Sequence, residues 1–232
     1  MGPIVLSWSG GKDASYALSE LRTEGIEVVE LLTTVSEEYD RSSMHGVRRS
    51  LHDRQAEAVG LPINYVSLPT DPSNEAYEEI MAREMARYHE RGIERVAFAD
   101  LFLEDVRAYR EDRLDDAAID GYWPLWGRDT DDLIWEFLDA GFRATVVAVS
   151  GESLDESFAG RELDERFLDD LPEGVDPCGE NGEFHTFVWD GPIFDHPVPV
   201  EPAEVVTRPV GEAEIHYCDL RFAGAETDSE PR

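Results

Sequence analysis

The chain has 232 residues with 52 Asp and Glu against 20 Lys and Arg, a formal net charge of −32. That length suits one α/β core with a smaller appended unit, and no apolar run approaches a bilayer span. So acidic a surface argues against stable nucleic-acid binding, which needs a basic footprint, and points to a salt-rich cytoplasm that screens self-repulsion.

The first apolar run, Pro3 to Leu6, predicts a buried parallel strand. It leads through Ser7–Gly11 into a helix over Asp13 to Glu24, which Gly25 ends. A strand over Glu27 to Val35 follows, then a helix from Val47 to Val59 and a strand over Ile63 to Leu68. Asn74 to Arg91 predicts a long helix, Arg95 to Ala99 a strand, and Glu104 to Ile119 a further helix. This alternation predicts a Rossmann-like, doubly wound parallel sheet with its ligand at the strands' carboxyl ends. We expect that domain to occupy 1–120.

After Gly121 the rhythm changes, and a smaller C-terminal α+β domain is expected over 121–222. It holds a helix from Asp129 to Ala140, a strand from Phe142 to Val149, an acidic helical region from Asp155 to Leu171, and a strand from Phe184 to Val188. Asn181-Gly182 is a hairpin signal. The small polar residues of 223–232 predict a disordered tail. The N-terminus lacks the charged start and apolar stretch of a signal peptide, so we expect a cytoplasmic protein. Cys178 and Cys218 are the only cysteines, and with His185 and His216 they match no closed zinc spacing.

Lys12 is the only lysine. Lysine is normally common, so one retained in so arginine-biased a chain marks a place needing a compact, flexible ammonium. It lies in Ser9-Gly10-Gly11-Lys12-Asp13, between strand and helix. Glycines let backbone N–H groups converge there, the helix N-terminus adds partial positive charge, and Lys12 adds a full one. This is an anion cradle, but not a Walker A loop, because Leu6 stands where that pattern needs glycine. Ser15 follows one position late for a hydroxyl that would extend the cradle. Thr33 and Thr34, ending the second strand, are candidates for the base or ribose. Glu180 to Thr186 packs two carboxylates, an asparagine, an imidazole and a hydroxyl into a second cluster.

Strand, Ser-Gly-Gly-x-Asp and helix together resemble the loop of the N-type ATP pyrophosphatases. With Met44-His45-Gly46-Val47-Arg48, Phe98-Ala99-Asp100-Leu101, Leu103 to Arg107, Pro124 to Gly127 and Cys178 to Phe187 in that order, the chain resembles the diphthine–ammonia ligase family. That resemblance implies an adenine nucleotide alpha hydrolase-like fold and cleavage of ATP to AMP and pyrophosphate. It also implies amidation of an adenylated carboxylate by ammonium, the family's acceptor being elongation factor 2 carrying diphthine. Carried over, Ser9 to Asp13 hold the phosphates, Asp13 and Asp100 hold Mg2+, and His45 and Arg48 bind phosphate or acyl substrate. Glu180, Glu183 and His185 then position or deprotonate ammonium. The diphthamide-forming members resemble Glu-Gly-Gly-Glu-Phe/Tyr-Glu-Thr in the last block, where this chain has Glu180-Asn181-Gly182-Glu183-Phe184-His185-Thr186. The His form resembles a sister branch. A thiolating relative acting on RNA and a non-catalytic nucleotide sensor share the loop type and are the alternatives. No membrane partner is expected, and an oligomer is compatible with the sequence.

Overall fold

The computed structural model describes residues 2–69, 72–211 and 213–223. The disordered tail expected over 223–232 therefore lies, from 224 onward, outside the described residues. Strands β1 (Ile4–Ser7), β2 (Val28–Ser36), β3 (Ile63–Leu68), β4 (Arg95–Ala97) and β5 (Asp120–Tyr122) form one sheet in the order β3-β2-β1-β4-β5, and every neighbouring pair is parallel.

Alternation along the strands sorts the core onto two faces. Ile4, Leu6 and Leu31 pack with Ala17, Leu18 and Leu21 of α1 (Lys12–Thr23) and with Leu51 and Val59 of α2 (Arg49–Val59). Val5, Leu32 and Val66 pack instead with Met85 and Tyr88 of α3 (Asn74–Glu90) and Leu114 of α4 (Glu104–Asp115). Helices on both faces make the sheet doubly wound. Because β5 pairs with β4 through Asp120, Gly121 and Tyr122, the sheet continues past residue 120. The helix expected to reach Ile119 stops at Asp115.

After α5 (Thr130–Asp139) comes an antiparallel sheet of β6 (Arg143–Ser150), β7 (Phe184–Asp190), β8 (Val200–Val210) and β9 (Ala213–Phe222), ordered β7-β6-β9-β8. Its inward residues Val146, Phe187 and Leu220 belong to the same core cluster as Ile4 and Leu18, so the second sheet closes over the α1 side of the first.

Two expectations fail here. The acidic stretch 155–171 is not one helix: it holds a 3-10 turn over Glu156–Phe158 and α6 (Glu165–Asp169). Asp155 and Asp164 each accept a hydrogen bond from the backbone two or three residues on, starting a new turn, and Gly160 takes φ +86° between them. Asn181-Gly182 does not close a hairpin either. Strands β6 and β7 are antiparallel neighbours, but 151–183 separates them.

Candidate active site

The loop after β1 is held from below by α2. Gln55, fully buried, donates from Nε2 to the carbonyls of Gly10 (2.9 Å) and Val188 (2.6 Å) and accepts from Trp8 Nε1 (3.1 Å). Gly10 lies in the left-handed region at φ +75°, and a Cβ there would stand 2.5 Å from Gln55 Oε1. Only glycine fits. Thr33 donates its hydroxyl to the Trp8 carbonyl at 2.7 Å, tying β2 to the same loop. Helix α1 then begins at Lys12, and no side chain of Gly11 caps it.

Two loop amides nevertheless have acceptors. Gly11 N–H donates to Ser9 Oγ (3.2 Å) and Lys12 N–H to Thr186 Oγ1 on β7 (2.9 Å). Lys12 is 3% exposed, and its ammonium lies 2.6 Å from Asp13 Oδ1. Burial is the largest single influence and opposes its charge, but Asp13, Cys178 and Glu180 together outweigh it, and the pKa rises. Lys12 is a firmly charged ammonium.

One cavity of about 1140 Å³ lies at the carboxyl edge of the parallel sheet and brings together Ser9, Lys12, Asp13, Thr33, Thr34, His45, Asp100, Glu180 and His185. Glu180, His185 and Thr186, far along the chain from the loop, thus share its space, because β7 lies beside α1. A mostly apolar arm of the cavity, lined by Leu32, Met81, Met85, Phe98 and Leu114, runs between the sheet and helices α3 and α4.

Glu180 accepts a hydrogen bond from Leu101 N–H at 2.7 Å. Burial pushes its carboxyl up to about 7, helped by the charge of Asp13 and opposed by the Leu101 bond. His45 and His185 stack with centroids 4.6 Å apart. Burial, then the charges of His45 and Lys12, hold His185 down at about 3, and burial lowers His45 as well. Both rings are neutral at physiological pH. His45 Nδ1 lies 3.0 Å from the Thr186 carbonyl. A carbonyl only accepts, so the proton sits on Nδ1 and the lone pair on Nε2.

Several expected residues are placed otherwise. Arg48 does not line the cavity: its Nε and Nη2 donate to Asp219 on β9 at 3.1 and 2.9 Å. Arg41 joins the same carboxylate at 2.8 Å, so this arginine serves as a tie between layers. Glu183 is 6% exposed, and its oxygens accept from the amides of Asp176 and Asn181 and from Asn181 Nδ2. It braces its own loop and does not reach the cavity as a base. Ser15 is fully buried within α1 and does not line the cavity. Asp100 lines the cavity, and its two oxygens also accept hydrogen bonds from Arg110 and from Trp123 Nε1. Asp13 keeps one oxygen off the Lys12 pair and fits a cation shared with phosphate.

Sequence reasoning missed Gln55, Asp219 and Thr186. The first two carry no local signal, since their partners lie far along the chain. The Thr186 hydroxyl was visible in the second cluster, but its partner was not.

An α/β fold with a glycine-rich, lysine-bearing loop at the carboxyl edge of its parallel sheet, covered by a second sheet that adds acid and imidazole groups, defines the class of this protein. The chain belongs to the diphthamide synthase family, whose N-terminal domain matches residues 1–116 and whose C-terminal domain matches residues 129–217. The diphthine–ammonia ligase of Bos taurus is 27% identical over 222 residues, covering 86% of this chain and 83% of its own. That of Homo sapiens is 26% identical over 224 residues, covering 85% and 82%. A predicted subunit of tRNA methyltransferase from Methanocaldococcus jannaschii superposes with a TM-score of 0.44 at 15% identity, over 63% of this chain and 80% of that one.

Proposed function

We propose that this protein is an ATP-dependent carboxylate–ammonia ligase of the cytoplasm that acts on diphthine in elongation factor 2 and releases AMP and pyrophosphate. The supporting observation is that Glu180 and His185 of the second sheet's half share one cavity with Lys12 and Asp13 of the loop. A sensor needs only the loop and a base slot. A ligase needs a second set of groups facing the phosphates.

ATP would lay its base in the apolar arm beside Phe98 and its phosphates at the start of α1. Lys12 and the loop amides would then face charge developing on the departing pyrophosphate. Mg2+, held by Asp13 together with phosphate oxygens, would supply further charge neutralisation. A carboxylate cannot expel oxide, so transfer to the α-phosphate provides a leaving group that ammonia can displace. Ammonium must first lose a proton, and Glu180, poised near neutrality, would take it.

The test is AMP release from ATP with ammonium and with elongation factor 2 purified from cells lacking this gene. Amide formation on diphthine, read by mass spectrometry, is the expected result. Tight ATP binding with no AMP release in the presence of that acceptor would favour a sensor.

A further inference from the structure

Thr186 meets three parts of the site at once. Its hydroxyl accepts from the amide of Lys12 at 2.9 Å, and its carbonyl takes His45 Nδ1–H at 3.0 Å. The same carbonyl would lie 3.1 Å from a Cβ on Gly11. The residue before it, His185, stacks on His45. Thr186 is 2% exposed, yet it contributes to the cavity wall.

The Lys12 amide is the first of α1, one of the donors through which a helix N-terminus grips phosphate. Here it points at a neutral hydroxyl. A phosphate oxygen is the stronger acceptor, because charge-assisted hydrogen bonds exceed neutral ones. The two acceptors compete for one proton.

We propose that Thr186 is a positioning residue whose hydroxyl yields the Lys12 amide to the nucleotide's phosphate, so that phosphate binding is coupled through β7 to the His45–His185 pair. The inference rests on the phosphate role of the loop. Its physical content is that part of the phosphate's binding energy goes into releasing Thr186. Interactions of this sort change the surroundings of His45 and His185 and do not merely tighten binding.

Inorganic pyrophosphate is a suitable probe, because its binding does not require the acyl substrate. In Thr186→Val the amide keeps no acceptor, so pyrophosphate no longer displaces one. Calorimetry should show binding about five- to tenfold tighter than wild type, the scale of one neutral hydrogen bond. Thr186→Ser keeps the hydroxyl and should restore the wild-type dissociation constant. In wild type, pyrophosphate should shift the imidazole resonances of His45, identified by their loss in His45→Gln, and this shift should vanish in Thr186→Val. Should the valine variant fail to fold, the wild-type resonance shift still decides. Unchanged or weaker pyrophosphate binding by a folded Thr186→Val, or a wild-type His45 signal that ignores bound pyrophosphate, overturns the coupling alone. Absence of pyrophosphate binding by the wild type overturns the phosphate role of the loop, and the coupling with it.

Discussion

Lys12 and Glu180 face the same space with opposite electrostatic histories, and each yields a prediction. Lys12 stays charged in a buried place because Asp13 is 2.6 Å away. Lys12→Ala should weaken ATP binding by roughly 10- to 100-fold, the scale of a hydrogen bond to a charged group, since it also leaves Asp13 facing the phosphates unpaired. Lys12→Arg keeps the charge and should lose less, and isothermal titration with a non-hydrolysable analogue decides; wild-type affinity in the alanine variant would remove the loop from phosphate binding. For Glu180 the sign follows from its raised carboxyl, near 7. The folded protein holds a proton there that the unfolded chain has lost above the ordinary carboxylate range. Stability is therefore lost as pH rises from about 4.5 to about 7, while the base form appears above about 7. AMP release should climb with pH through that region and lose this inflection in Glu180→Gln. Glu183 is different. Glu183→Gln replaces one acceptor oxygen with a donor facing buried N–H groups, so it should destabilise the fold by about 1–3 kcal/mol. A melt several degrees lower with an unchanged ATP dissociation constant is the expected pattern; an unaltered melt with lost activity would return Glu183 to the chemistry.

At the scale of elements, the parallel sheet was legible because each strand and helix announces itself locally. Apolar runs such as Ile4–Leu6 and helix stops such as Gly60, at φ +70°, need only their neighbours. Strand β5 has three residues and exists because Arg95–Ala97 offers it an edge. Strands β8 and β9 hid for another reason. Most of β8 is exposed, and Pro202 and Pro209 lie within it, so neither alternation nor composition marks it. The loop residues were legible because glycine, lysine and aspartate in that order have few other uses. Their partners were not, since Gln55, Thr186 and Asp219 act across 45, 174 and 171 residues. The last of these makes an element-level prediction. Asp219 on β9 holds Arg41 and Arg48, which bracket the segment carrying His45. Burial would raise its carboxyl, but the hydrogen bonds and charges of Arg48 and Arg41 bring it down to about 2. Its contribution to stability is thus present above the ordinary carboxylate pKa and lost as pH falls toward 2. Asp219→Asn should remove that acid-limb dependence, lower the melt, and raise hydrogen exchange over 41–48. Unchanged exchange there would show that the segment does not depend on the tie.

Across the whole molecule, the question is what balances a formal charge of −32. Ion pairs do not. Arg54–Glu57, Arg83–Glu79, Arg107–Glu111 and Arg143–Glu162 are exposed, and such pairs contribute about 0–1 kcal/mol each. With 52 acids and 20 basic side chains, most carboxylates have no cation to pair with at all. The acids are also spread across α3, α4, α5 and the segment 152–173, so folding brings together like charges that the unfolded chain keeps apart. Screening is the remaining remedy, and it is steep: the Debye length falls from about 10 Å at 0.1 M salt to about 3 Å at 1 M. We therefore expect the melting temperature to rise strongly between about 0.1 and 1 M KCl and then to flatten once neighbouring surface charges no longer sense one another. Exclusion of cosolvent from the surface would also stabilise the fold, but without regard to charge. Sucrose of equal osmolality separates the two causes: it should give a small, steady rise in place of the steep early gain. Equal melts in dilute and concentrated KCl, or a sucrose curve matching the KCl curve, would mean that self-repulsion does not limit this fold.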